Sequence, residues 1–311
     1  MANMIATRDA YGEALKELGN INKDVVVLDA DLSGSTKTSV FKKSFPERFF
    51  NVGIAEQNLI GTAAGLATTG KIPFASTFAM FATGRAFEII RNSVCYPKLN
   101  VKIAATHAGL TVGEDGATHQ ALEDLSIMRT LPNMIVLNPA DAVEAKQCIF
   151  KAAEHNGPVY IRLGRSKVPV IFDENYKFEI GKGVELKEGN DVTIIATGVM
   201  VEKALLAHEE LLKEGIKARV INMASIKPID EEIIIKAAKE TKGIVTVEEH
   251  SIIGGLGSAV SEVVVENYPT HVVRIGTEDT FGQSGDGDEL LEKYGLNIKN
   301  IVAKAKEILS K

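Results

Sequence analysis

Four stretches of the chain gather the side chains able to do chemistry. In "NVGIAEQN" (51–58), Glu56 stands between a glycine turn and an apolar run, where a strand hands over to a helix. A carboxylate there is either a helix-start acid favoured by the helix dipole or, in a dry setting, an acid or base whose charge bears on a bound ligand. The loop "THAGLTVGEDGATHQ" (106–120) holds His107, Glu114, Asp115 and His119. Imidazole and carboxylate are common zinc ligands, yet the loop has no cysteine and no helical HxxxH spacing, so no metal site is predicted. Contacts to a polar ligand, sugar hydroxyls or phosphate among them, fit it better, because a loop this long within a compact domain is usually functional.

In "DADLSGST" (29–36) two acids at a strand end precede small hydroxylated residues. Such a loop offers backbone N–H groups and Ser35 to a phosphate, or is an ordinary polar turn. "STFAMFATGRAFE" (76–88) places Phe78 and Phe81 three apart at a helix opening. The pair is core packing or an aromatic face on which a planar ring stacks. Two glycine motifs are weaker. "GGLGSAV" (254–260) opens a helix without the dinucleotide spacing, and Gly285-Asp286-Gly287 has no following strand and Asn-bearing turn. It reads as a turn before the helix "DELLEKYGL".

The elements that must position these residues alternate strand and helix, the pattern of an α/β fold with a mainly parallel sheet. A first helix, "TRDAYGEALKEL", is expected to stop at Gly19. The strands "VVVLDAD", "RFFNV", "IPFAS", "VKIAATH", "MIVLNP" and "VYIRLG" follow, short and apolar as suits strands buried on both faces. The rhythm breaks after Arg165. Residues 1–165 read as one domain, 166–179 as a linker and 180–311 as a smaller α/β domain, with a helical tail from Asp288. Ligands of open parallel sheets lie beyond the carboxyl ends of the strands, and Asp29, Asp31, Glu56, Phe78, Phe81, His107, His119 and Arg165 all cluster in those connections.

Composition narrows the partners. The 311 residues carry a formal charge of −6 with signs well mixed, whereas nucleic-acid binding needs a basic face. A small phosphorylated ligand needs only a few local cations. No apolar run is long enough to span a bilayer, the N-terminus lacks a secretory pattern, and two cysteines, Cys95 and Cys148, make no disulfide framework. A cytoplasmic protein is expected.

Taken together, "DADLS", "GIAEQN", "STFAMF", "ATHAGLTVGEDGATHQALEDL", "RLGRSK" and the closing "DTFGQSGDGDELLEKYGL" resemble the C-terminal half of a transketolase over essentially the whole chain. The resemblance implies a thiamine-diphosphate-binding pyrimidine domain followed by the transketolase C-terminal domain. In it, Glu56 matches the glutamate that hydrogen-bonds a pyrimidine ring nitrogen of thiamine diphosphate. Phe78 and Phe81 match the aromatic lining of that site, with Gly84 where the family often has a tyrosine, and Asp31 matches an acid near the cofactor. His107, Asp115 and His119 match donor-substrate contacts, and Arg8, Ser35 and Arg165 match a phosphate clamp. Glu56, His107 and His119 are thus the implied catalytic residues.

The implied reaction is reversible transfer of a two-carbon glycolaldehyde unit from a ketose phosphate to an aldose phosphate. The pyrophosphate-binding domain with its GDG and downstream Asn is missing. The resemblance therefore implies that the Mg²⁺ and diphosphate ligands lie on a separate N-terminal subunit, in an α2β2 assembly. Rival readings are the β subunit of a 2-oxoacid dehydrogenase, which fits the 106–120 loop poorly, a deoxyxylulose-phosphate synthase, normally one longer chain, and a non-catalytic regulatory paralogue.

Overall fold

A computed structural model describes residues 3–311. The strands, in chain order, are β1 Met4–Ala6, β2 Val25–Asp29, β3 Phe49–Asn51, β4 Ile72–Ser76, β5 Lys102–Ala105, β6 Ile135–Leu137, β7 Val159–Arg162 and β8 Lys167–Pro169. They continue as β9 Val184–Lys187, β10 Val192–Ala196, β11 Ala218–Asn222, β12 Ser225–Lys227, β13 Gly243–Ser251 and β14 His271–Thr277. A seven-stranded sheet has the order β12-β6-β7-β5-β4-β2-β3 and a five-stranded sheet the order β14-β13-β10-β11-β9. In the first, β3 to β7 and β2 run parallel, and only the edge strand β12 is antiparallel, pairing Ser225 with Leu137.

Every residue of β2 is buried, because helices cover both faces. On one face Tyr11 and Leu15 of the helix Thr7–Ile21 pack with Cys148 and Ile149 of the helix Ala142–Glu154 over Val25 and Phe74. On the other, Leu59 and Ile60 of the helix Glu56–Thr68 meet Leu28, Ile90 and Ile103. That second core runs on without a break into the C-terminal sheet through Ile195, Ile221 and Ile244. Each fully buried side chain of this size contributes roughly 1.5–3 kcal/mol, so the two sheets share one stabilising interior.

Polar contacts join the same halves. Asp141 Oδ2 accepts the amides of Ile171 (2.6 Å) and Phe172 (2.9 Å), which ties down the chain between the sheets. Glu144 Oε1 accepts from the Tyr176 hydroxyl and from Asn222 Nδ2 of β11, both at 2.7 Å. Burial pushes the Glu144 carboxyl up to about 7. Arg162 pairs with Asp124 at 2.8 Å and donates to the Glu249 carbonyl on β13 at 2.9 Å.

Several expected boundaries move. The first helix passes through Gly19 to Ile21, because a Cβ there would lie 2.4 Å from the Phe45 ring and 2.7 Å from that of Phe41. Its glycine admits two aromatic rings and does not end the helix. Residues 167–169, read as linker, form β8 and pair antiparallel with β1. The helix expected to open at Phe78 and Phe81 begins and ends in π-helical turns, Phe81–Arg85 and Ile90–Cys95. The tail is two helices, Gly287–Lys293 and Ile298–Ser310, parted at Gly295 with φ 73°. Among the described residues no helix is long and apolar enough to cross a membrane.

Candidate active site

The carboxyl ends of β2, β3, β4, β5 and β7 bring most of the singled-out residues to one edge of the first sheet. Glu56 is the first residue of its helix and is 5 % exposed. Its Oε1 accepts from Arg85 Nη1 at 3.0 Å. The two line an open cleft of about 530 Å3 with Ile54, Ala55, Gln57 and Asn58. The Arg85 guanidinium lies 4.3 Å from the centre of the Phe81 ring, a cation–π distance. The π-helical turn from Phe81 to Arg85 sets this pair, as such turns often do at functional sites. Gly84, exposed beside it, leaves the wall there to Arg85.

From Phe81 the contacts run on. Phe81 and Phe78 stack at 6.0 Å, Phe78 and His107 at 3.9 Å, and the His119 ring meets Phe81 edge-on at 5.1 Å. Phe78 is thus both core and wall. His107 Nε2 accepts from Arg8 Nη1 at 3.0 Å, while Arg8 Nη1 also donates to the Ser35 carbonyl at 3.0 Å. A guanidinium can only donate, so Nε2 is the acceptor and the ring proton sits on Nδ1, which faces Thr106 Oγ1 at 2.8 Å. Burial first, then the cations Arg8 and Arg165, hold the His107 imidazolium down to about 3. The imidazole is neutral at any ordinary pH. Lys37, held by Asp9 at 3.1 Å, adds to the positive field.

Three residues take other places than expected. Ser35 meets Arg8 through its main-chain carbonyl and not its hydroxyl. Arg165 is spent on the loop: it donates to the Val112 carbonyl and pairs with Glu114 at 3.3 Å and Asp115 at 3.9 Å. Asp31 is exposed, in a left-handed conformation (φ 64°), and holds Asn51, whose Oδ1 accepts from Gly53 N at 3.0 Å. It therefore reaches the Glu56 turn only through Asn51. The neighbouring Asp29 is buried and accepts from Leu32 N, Thr36 and Thr38, a structural role.

The glycine motifs turn inward. Glu248 accepts the amides of Leu256 (2.7 Å) and Gly257 (2.8 Å), and a Cβ on Gly255 would fall 2.0 Å from its carboxylate. The helix start at 256 is therefore filled by an internal acid. Asp286 caps its own helix through the Asp288 and Glu289 amides. Among the described residues no three His, Cys, Asp or Glu side chains are grouped to hold a metal ion.

Arg85, Lys37 and Asn51 were not singled out by sequence. Arg85 carried a signal, since it stands four residues after Phe81 and so on the same helical face.

A buried carboxylate on an open cleft, backed by an aromatic pair, fits the pyrimidine end of thiamine diphosphate. Among the described residues no comparable group is present for a metal ion. Residues 3–170 match the transketolase pyrimidine-binding domain and residues 181–301 the transketolase C-terminal domain. A protein of Methanocaldococcus jannaschii described as a transketolase C-terminal section is 58% identical over 307 residues, covering 98% of this chain and 96% of that one. A subunit of a 6-deoxy-6-sulfo-D-fructose transketolase from a Clostridium species is 45% identical, covering 97% and 94%. A solved structure described as a split-gene transketolase, an inactive β4 tetramer, superposes with a TM-score of 0.93 at 63% identity, covering 98% of this chain and 99% of that one. The chain belongs to the transketolase family, of which it comprises the pyrimidine-binding and C-terminal domains.

Proposed function

We propose that this chain is the C-terminal subunit of a split, thiamine-diphosphate-dependent transketolase. It would transfer a two-carbon glycolaldehyde unit reversibly from a ketose phosphate of the xylulose 5-phosphate type to an aldose phosphate of the ribose 5-phosphate type, as in the pentose phosphate pathway. The observation that carries this reading is the unbroken run of contacts Arg8–His107–Phe78–Phe81–Arg85–Glu56, which links a cationic end to a buried acid.

When bound, thiamine diphosphate supplies the carbanion-stabilising centre. Glu56 would hydrogen-bond the ring there, holding or moving a proton at its carboxylate once Arg85 moves aside. Phe78 and Phe81 wall the ring and exclude water. His107, neutral and fixed in one tautomer, accepts from a donor hydroxyl, and His119 and Asp115 receive the remaining hydroxyls. Arg8, released from His107, and Arg165 bind the phosphate, with the backbone at Ser35 as the floor of that end. Asp31 braces the Glu56 turn through Asn51.

Mg²⁺ and the diphosphate fall to an N-terminal subunit with a GDG…N motif, two copies of each chain making the enzyme. The inactive β4 state described for the 63%-identical relative supports a chain that needs a different partner. The first domain takes in β8, and the second runs from 180 to 311. Two buried free cysteines support a reducing, cytoplasmic setting. Relatives with other sugars in their names leave the donor set by the sugar-contacting residues.

The test is to purify the tagged chain gently from its native cells, identify any stoichiometric companion by mass spectrometry, and assay the pair. Sugar products from xylulose 5-phosphate support the proposal. Products from pyruvate alone would move the chain to the 2-oxoacid dehydrogenase or deoxyxylulose-phosphate synthase reading.

A further inference from the structure

The loop that carries His107, Asp115 and His119 is conformationally expensive. His107, Gly109, Gly113 and Gly116 have φ values of 58°, 82°, 84° and 74°. The three glycines adopt such backbone freely, but at His107 it persists only where the surroundings over-determine it. The first domain supplies part of the hold: Arg165 donates to the Val112 carbonyl, and Ser166 Oγ to the Thr111 carbonyl at 3.2 Å.

The rest comes from the C-terminal domain. Glu249, at the carboxyl end of β13, is buried, and its Oε1 accepts the Thr111 amide at 2.6 Å across 138 residues of chain. Gly109 makes the space, since a Cβ on it would stand 2.3 Å from the Glu249 carboxyl carbon. The Gln120 amide donates to the Leu110 carbonyl at 3.1 Å and to the Gln283 carbonyl at 2.9 Å, which stitches the loop to the segment before the last two helices. Gly287 lies flat against the loop, its absent Cβ leaving 3.3 Å to Thr111 Cα. The Gly285-Asp286-Gly287 turn is therefore a packing surface for the loop.

A carboxylate is a costly way to hold one amide. Burying it carries a penalty of several kcal/mol: burial pushes the Glu249 carboxyl up, against the pull of the Arg162 guanidinium and the Thr111 amide. What it supplies in return is a short, charge-assisted bond of a strength that a neutral acceptor does not match.

We infer that Glu249 is a positioning residue for the donor site: through the Thr111 amide the C-terminal domain holds the 107–116 backbone, and with it His107 and Asp115, in the geometry that receives a ketose phosphate. This rests on the two-carbon transfer reading of the site. It gives the C-terminal domain a direct part in donor recognition.

Two readouts separate this from a merely structural role. In the chain by itself, Glu249→Ala is expected to speed hydrogen exchange at the Thr111 amide by at least about tenfold, with exchange in β2 and β10 unchanged. In the enzyme assembled with its N-terminal companion, the donor KM is expected to rise about tenfold, with kcat and the acceptor KM little changed. Glu249→Gln, which keeps a weaker, neutral acceptor in place, is expected to fall between the wild type and the alanine variant in both readouts. If the alanine variant does not fold, Glu249→Asp withdraws the carboxylate by one methylene and is read in the same way. Unchanged Thr111 exchange, or an unchanged donor KM in an active enzyme, overturns the inference. The exchange measurement needs no turnover, so faster exchange in a chain whose assembled wild type transfers no two-carbon unit would support the clamp while removing the reaction assigned to the site.

Discussion

The Glu56 carboxylate and the Thr111 amide are each held by one side-chain contact, at 3.0 Å from Arg85 and 2.6 Å from Glu249, and the surroundings of the two contacts differ sharply. The Glu56 cleft is built by the first domain alone and opens to solvent, and its counter-ion Arg85 sits on an exposed stretch of π-helix. The 106–120 loop is gripped by both domains, with its key amide facing a fully interior acid. An ion pair whose cation is half exposed gives up that cation at less cost than a wholly interior charged contact does. The first region is thus suited to being completed by something that arrives. The second is already in its working shape.

That contrast orders the consequences of mutation. The largest expected effect is at the open cleft: Glu56→Gln in the assembled enzyme should lower kcat by about 100-fold or more, while the melting temperature scarcely changes because Arg85 is half exposed. A large loss of stability with modest loss of rate would mean the cleft is structural. Next is the cationic end. Arg8→Ala should raise the KM of a phosphorylated ketose by about 10- to 100-fold and leave a ketose without phosphate nearly unaffected. Because Arg8 is among the charges holding His107 down to about 3, the same variant should shift the His107 titration upward in an NMR pH series.

The smallest effect belongs to the domain junction. Glu144 has a raised carboxyl, at about 7 in the fold against 4.5 in the open chain. The fold binds that proton more tightly, so its contribution to stability is complete below pH 4.5 and is lost as the pH rises through about 7. Denaturant unfolding at several pH values should show this downward slope, and Glu144→Gln should flatten it. A slope that persists in the variant would place its origin elsewhere.

Much of this was legible in the sequence because it is local. Apolar β-branched runs mark the central strands of the first sheet, and the α/β alternation places Glu56, Phe78 and His107 at strand ends where ligands bind. What escaped is set by tertiary pairing. Nothing in "TVEEH" says that Glu249 will reach Thr111, or that Glu248 will fill the helix start at Leu256. Gly19 read as a stop because a glycine that ends a helix and one that admits two phenylalanine rings look alike in one dimension. Residues 167–169 looked like linker because a strand of that length carries too few residues to show a period, and β12 joins the first sheet from well inside the second domain. The charged residues at the site were visible as types. Arg165 facing Glu114 and Asp115, and Ser35 offering its carbonyl, were not.

The most direct measurement is a titration of the purified N-terminal companion into a fixed amount of this chain, with thiamine diphosphate and Mg²⁺ present, following two-carbon transfer from xylulose 5-phosphate. The account predicts no turnover by either chain alone and activity that rises to a plateau at one companion per chain. Turnover by this chain alone, or a stoichiometric complex that transfers nothing, would contradict it.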